Sequence, residues 1–215
     1  MLTTTFFDLF YQNLLQSTWL EGVAVIFGLL SVWYAKKANI LVYPTGIISV
    51  LIYVYICYHA GIYADMGINF FYFLVSVFGW YKWTRKDSSN KELAISRCSL
   101  LHHFIWVLLT IISFLILQYI LRHYTDSTIP YIDSFTTAIF ITGMGLMALK
   151  KVENWIYWII GDLVSVPLYF HKELVLTSFQ YFVFLILAVL GYIEWKRILK
   201  QSEVEQTHQN SHNRA

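Results

Sequence analysis

One stretch of this chain gathers polar and aromatic side chains inside an otherwise apolar run: Asn154, Trp155, Trp158, Asp162, Ser165 and Tyr169. At 100° per residue, Asn154, Trp158, Asp162, Ser165 and Tyr169 fall within about an 80° stripe of a helix, with Trp155 on its edge. One face thus presents an amide, two indoles, a carboxyl, a hydroxyl and a phenol. An acid near the middle of a membrane span costs about 2.5 to 3.5 kcal/mol on insertion, so such a residue faces a cavity or a partner. Aromatic walls with one acid suit a flat, positively charged ring, at about 0.5 to 2 kcal/mol per cation–π contact. Amides and hydroxyls suit a sugar or an aminopyrimidine. Two blander readings compete: Asp162 as a packing residue paired to Tyr or Asn, and Trp155 and Trp158 as interfacial belt residues.

Other stretches add candidates. Asn69, Phe73, Ser76, Trp80 and Trp83 share a helix face with Tyr72 beside them, and Gln180 and Phe184 lie one turn apart. The expected substrate-binding set is Asn154, Trp155, Trp158, Asp162, Asn69, Tyr72 and Gln180. Catalysis is not expected. His102, His103, His59 and His171 form no His-x-x-x-His pattern, and Cys57 and Cys98 give neither a disulfide framework nor metal spacing. No phosphate-cradling glycine loop is present, and neither a cofactor nor a metal is implied.

These residues need elements to position them, and composition names the solvent. Hydrophobic residues make up 58% and charged residues 13%, against about 25% charged in an ordinary soluble domain. A net charge of +2 argues against nucleic acid. Seven stretches reach the roughly 20 apolar residues of a transmembrane helix: 19–35, 40–58, 63–83, 101–121, 131–149, 154–172 and 174–195, with Pro44 and Pro167 expected to interrupt two of them. With seven spans, all Lys and Arg except Arg122 and Lys172 fall on the C-terminal side of the membrane. The positive-inside rule then puts the N-terminus outside and the C-terminus in the cytoplasm.

The second half also repeats the first. Glu21 and Asp133, His59 and His171, and the segments Gly79–Trp83 and Gly191–Trp195 are each 112 positions apart. Lys36-Lys37-Ala38-Asn39 is matched to Lys150-Lys151-Val152-Glu153-Asn154, and Gly46 and Gly161 each follow the asparagine by seven. On that matching Asn39, Tyr43 and Val50 form the stripe equivalent to the polar one, without an acid, which predicts an asymmetric site. The expected fold is an all-α integral membrane protein with two parallel three-helix repeats joined by a linker helix. Its divisions are a surface amphipathic segment (1–18), the first repeat (19–83), a basic loop with the linker helix (84–130), the second repeat (131–195) and a disordered cytoplasmic tail (196–215).

Asn154-Trp155-Ile156-Tyr157-Trp158 through Asp162, followed by Ser165-Val166-Pro167-Leu168-Tyr169, resembles the signature of the PnuC family of bacterial vitamin transporters. Tyr63-Ala64-Asp65 through Asn69-Phe70-Phe71-Tyr72 to Trp83 is similar to its first-half counterpart, although Asn69 stands where similar members often carry Gln. The resemblance covers residues 19–197. It implies a seven-helix, SWEET-like 3+1+3 fold in the bacterial inner membrane, a homo-oligomer such as a trimer, and facilitated diffusion of nicotinamide riboside, with thiamine or riboflavin carried by other members. Trapping by a cytoplasmic kinase is implied in the same way.

Overall fold

Long apolar runs in lipid must satisfy their own backbone hydrogen bonds, which favours helices. The computed structural model is all-helical, with eight helices and no strand among the described residues, 6–86, 90, 92–125 and 127–212. They are α1 (Phe6–Gln16), α2 (Trp19–Lys36), α3 (Val42–His59), α4 (Tyr63–Thr84), α5 (Leu100–Tyr124), α6 (Pro130–Ala148), α7 (Asn154–His171) and α8 (Val175–His212). By length and apolar composition α2, α3, α5, α6 and α8 are the five that could cross a membrane. α4 and α7 fall short because they carry the polar groups: Asp65 and Asn69 in one, Asn154, Asp162 and Ser165 in the other. Neither proline breaks its helix. Pro44 sits in the first turn of α3, where its missing N–H has no intrahelical role, and Pro167 lies within a continuous α7. The expected disordered tail is also different: the backbone of α8 stays helical to His212, as Glu, Lys and Gln beyond Trp195 favour, and 213–215 lie outside the described residues.

α2, α3 and α4 correspond to α6, α7 and α8 in a constant register of 112. α3 and α7 start and stop 112 residues apart, as do the starts of α4 and α8 and the ends of α2 and α6. The turns match atom for atom: Ala38 (φ 50°) answers Lys150 (φ 49°), and Gly61 (φ 72°) answers Glu173 (φ 60°). Asn39 N–H donates to the Tyr34 carbonyl as Lys151 N–H does to Leu146, and Ile62 to Cys57 as Leu174 does to Tyr169. This corrects the motif matching. Asn39 is the counterpart of Lys151, and Asn154 of Val42; Gly46 stands opposite Trp158, and Gly161 opposite Ser49.

The halves interlock at one end. Trp83 Nε1 donates to the Met147 carbonyl (3.3 Å) and Trp195 Nε1 to the Ala35 carbonyl (2.9 Å), so each indole closing one half reaches the first helix of the other. Tyr43 meets Trp83 edge-on at 5.1 Å, and Trp155 meets Trp195 edge-on at 5.6 Å. Gly79 and Gly191 permit this, since a methyl on either would collide with the ring of Tyr43 or Trp155. The buried core is centred on these four rings.

The repeated acids prove to be structural. Glu21 completes a capping box with Thr18 at the start of α2. Asp133 accepts from Lys172 Nζ (2.8 Å) and Ser127 Oγ (2.7 Å). The basic segment after α4 is likewise more than a linker. Ser96 bonds by its N–H to the Lys150 carbonyl and by its carbonyl to Val152 N–H, Cys98 N–H donates to Glu153, and Leu93 and Ile95 pack on the core. Burial, reinforced by Glu153, pushes the Cys98 thiol up to about 11. α1 lies on α8, with Phe10 edge-on to Phe179.

Candidate substrate site

The sharp α6–α7 turn decides where the polar stripe of α7 points. Asn154 is fully buried and its Nδ2 donates to the Lys151 carbonyl (2.6 Å), so this amide holds the turn. One residue on, Trp155 is buried against Gly191 and Trp195 and forms a floor. A turn higher, Trp158 stacks on Phe140 of α6 (5.4 Å, 27°). One further turn brings Asp162, 2% exposed, with no salt-bridge partner among the described residues.

Trp155, Trp158 and Asp162 border a cavity of about 170 Å³ in the middle of the bundle. Its other walls come from both halves, and mostly as counterparts in the 112 register: Val32 with Met144, Tyr43 with Trp155, Gly46 with Trp158, Val50 with Asp162, Tyr72 with Phe184 and Ser76 with Ala188. The cavity is therefore walled by both halves. Among the described residues no Lys, Arg or His lines it. Ser31 and Ser49, also in the wall, are committed to the Val42 and Ala24 carbonyls, both at 2.8 Å. The Tyr43 hydroxyl and the indole N–H groups of Trp155 and Trp158 are buried without hydrogen-bond partners among the described residues. Donors left unpaired in a dry wall cost about 1 to 3 kcal/mol each, and a bound ligand with acceptors removes that cost.

Of the expected binding residues, Trp155, Trp158, Asp162 and Tyr72 come together at this cavity. Asn154 lies behind it in the turn. Asn69 Nδ2 is bound to the Asp65 carbonyl at 2.9 Å, and Gln180 reaches the Tyr53 hydroxyl; neither lines the cavity. Tyr43 and Val50, expected on the equivalent stripe of the first half, do line it, whereas sequence reasoning missed Gly28, Ser31, Gly46 and Ser49 as walls. The 112 spacing could have pointed to Gly46 had it been carried through α3.

A column of rings leads away from Trp158. Phe140 stacks on Tyr181 (5.9 Å, 13°), and Tyr181 on Tyr169 (5.0 Å, 6°). Tyr169 borders a second, wetter cavity of about 610 Å³ at the end where α3 turns into α4 and α7 into α8, with Asp65, Asp133 and Lys172 in its walls. The column thus stands between the two spaces.

The chain is similar to known transporters. The PnuC nicotinamide riboside transporter of Escherichia coli K12 is 27% identical over 203 residues, covering 83% of this chain and 85% of the relative. That of Neisseria mucosa is 27% identical over 86% of this chain and 74% of its own length. The riboflavin/roseoflavin transporter RibM of Streptomyces davaonensis is 22% identical over 88% of each. The crystal structure of a vitamin B3 transporter, PnuC, superposes with a TM-score of 0.69 at 24% identity, covering 91% of this chain and 90% of that one, which establishes a shared fold. With the family model for nicotinamide mononucleotide transporters matching residues 18–197, the chain belongs to that family of membrane transporters.

Proposed function

We propose that this chain takes up nicotinamide riboside across the bacterial inner membrane by facilitated diffusion, with the central cavity as its binding site. The observation that carries this reading is the pairing of Asp162, buried without a cation, with the partly free indole of Trp158 in one wall. A pyridinium ring stacks on an indole and is neutralised by a carboxylate, while the ribose hydroxyls can accept from the unpaired indole N–H groups. The same wall argues for the riboside over the mononucleotide, since a phosphate would be buried with no Lys or Arg to meet it. The nicotinamide riboside transporters at 27% identity support the assignment. Thiamine, another aromatic cation, is the second candidate; riboflavin is uncharged and leaves Asp162 without a role.

No nucleotide-binding loop is present in the sequence. A monovalent cation gains about 2.3 kcal/mol per 100 mV on moving inward, so uniport with later phosphorylation suffices. We place α2 to α8 across the bilayer as seven spans, N-terminus outside and C-terminus cytoplasmic, with α2–α4 and α6–α8 as parallel repeats around the linker α5, and the protein as a homo-oligomer. The constant register and the basic residues crowded on one side support that arrangement.

The test is uptake of labelled nicotinamide riboside by purified protein in liposomes. Equilibration without ATP or an ion gradient is expected, accelerated by an inside-negative potential and competed by the riboside more strongly than by thiamine, riboflavin or the mononucleotide. Strict dependence on a proton or sodium gradient refutes uniport. Asp162→Asn is expected to weaken the cation more than its neutral reduced analogue, and equal weakening with a lower melting temperature would make Asp162 a packing residue. Orientation is checked with Glu173→Cys, which an impermeant thiol reagent is expected to label from outside, and Lys86→Cys, which it is not.

A further inference from the structure

The aromatic column beside the central cavity exists in one half only. Trp158, Phe140 and Tyr181 stack in order, and 112 residues before them stand Gly46, Gly28 and Asn69. Gly28 and Gly46 both line the central cavity. Resting on the reading of that cavity as the substrate site, we propose that Gly28 and Gly46 are specificity-determining residues. By omitting the phenyl and indole that Phe140 and Trp158 supply opposite, they leave a slot one ring wide, and the substrate's flat ring lies there against Trp158.

Three observations converge on the slot. One face of Trp158 is taken by Phe140 and part of its ring lies over Gly143, while its buried N–H has no partner among the described residues and the indole also borders the cavity. A ring arriving from the first half therefore extends an existing stack, in the offset geometry that aromatic pairs prefer. Next, each half pairs one glycine with one side chain across its first two helices. In the second half the phenyl of Phe140 fills the space over Gly161, where a methyl would collide with it. In the first half the positions are exchanged: Ser49 stands over Gly28, and its hydroxyl is tied back to the Ala24 carbonyl at 2.8 Å. A phenyl in one half and a hydroxymethyl in the other leave a difference in volume, and the cavity reaches Gly28 and Ser49 but not Phe140 or Gly161. Finally, the entrance to the slot is close-fitting without being blocked. A methyl at Gly28 would meet Ser49 Oγ at 3.3 Å, Phe184 Cζ at 3.8 Å and Gln180 Nε2 at 4.0 Å, while one at Gly46 would press on Ser31 Oγ at 2.9 Å. A side chain at Gly28 can be accommodated by the protein, but only in the space the ring would use.

The experiment compares Gly28→Ala with the double variant Gly28→Phe/Ser49→Gly, which rebuilds in the first half the phenyl-over-glycine pair of the second. Uptake of labelled nicotinamide riboside in liposomes and thermal unfolding in detergent are measured for each. Gly28→Ala is expected to raise KM at least about fivefold with an unchanged melting temperature. The double variant is expected to fill the slot from within, losing uptake at least about a hundredfold while remaining as thermostable as the starting protein. A folded double variant with unaltered KM would show that the ring lies elsewhere and overturn the proposal. Should that variant fail to fold, Gly28→Ala decides alone, an unaltered KM again overturning it. A starting protein that takes up thiamine or riboflavin instead of nicotinamide riboside sinks the substrate assignment only, and the same KM comparison is then read with that vitamin.

Discussion

Trp83 and Trp195 make the same crossing bond and the same edge contact in the two halves, whereas Gly46 and Trp158, or Val50 and Asp162, share a position and little else. The contrast follows from what each surface must fit. Where two halves make reciprocal contacts, they need matching knobs, because a change on one side must be answered on the other. Nicotinamide riboside, the proposed substrate, has no two-fold symmetry. A cavity walled by both halves recognises such a molecule only when the walls differ, and here the indole and the acid stand in one half and the glycines in the other.

Three interventions break or sharpen that contrast. The largest effect is expected from Asp162→Val, which makes the halves alike at that level: apparent affinity for nicotinamide riboside should fall at least about tenfold, or about 1.4 kcal/mol. Adding Val50→Asp should not restore uptake, since its neighbour one turn away is Gly46 in place of an indole. Rescue in the liposome assay would mean that the halves are interchangeable as binding walls. Next in size, Trp83→Phe and Trp195→Phe should each lower thermal stability by about 1 kcal/mol, the net value of one hydrogen bond. The loss stays that small because Met147 and Ala35 still accept from the Lys150 and Ala38 N–H groups, both at 2.9 Å. A marked difference between the two variants would show the contact to be less symmetric than its geometry. The smallest effect concerns the turns at the other end, where the first half uses Gly61 and the second uses Glu173 in the same left-handed conformation. Gly61→Ala should destabilise and Glu173→Gly should stabilise, each by about 0.5 to 1 kcal/mol in thermal unfolding.

The helices were legible because each is an apolar run closed by charges and glycine. The expected spans match α2 to α7 within three residues and miss chiefly the extension of α8 past Trp195. The polar stripe of α7 was legible for Trp158 and Asp162, where a 3.6-residue period and the cost of a buried acid point the same way. It failed for Asn154, which shares the stripe yet faces the turn, because the first residue of a helix answers to its cap before its face. The matching of Asn39 with Asn154 rested on residue identity. The turns follow backbone geometry, in which Ala38 and Lys150 are equivalent despite having unlike side chains. The first-half walls were illegible for a related reason: Gly28 and Gly46 contribute by what they lack, and periodicity searches register side chains.

The crossed indoles also set an order of assembly during synthesis. Trp83 leaves the ribosome more than 60 residues before Met147, the residue whose carbonyl it binds, and Ala35 waits for Trp195 near the end of the chain. Helices α2 to α4 are therefore synthesised with the Trp83 donor uncommitted, and they stay incomplete until α6 and then α8 arrive. Separately expressed halves are expected to mature only when made together. A truncation before Trp195 removes one of the two crossing bonds of the earlier half even though every residue of that half is present.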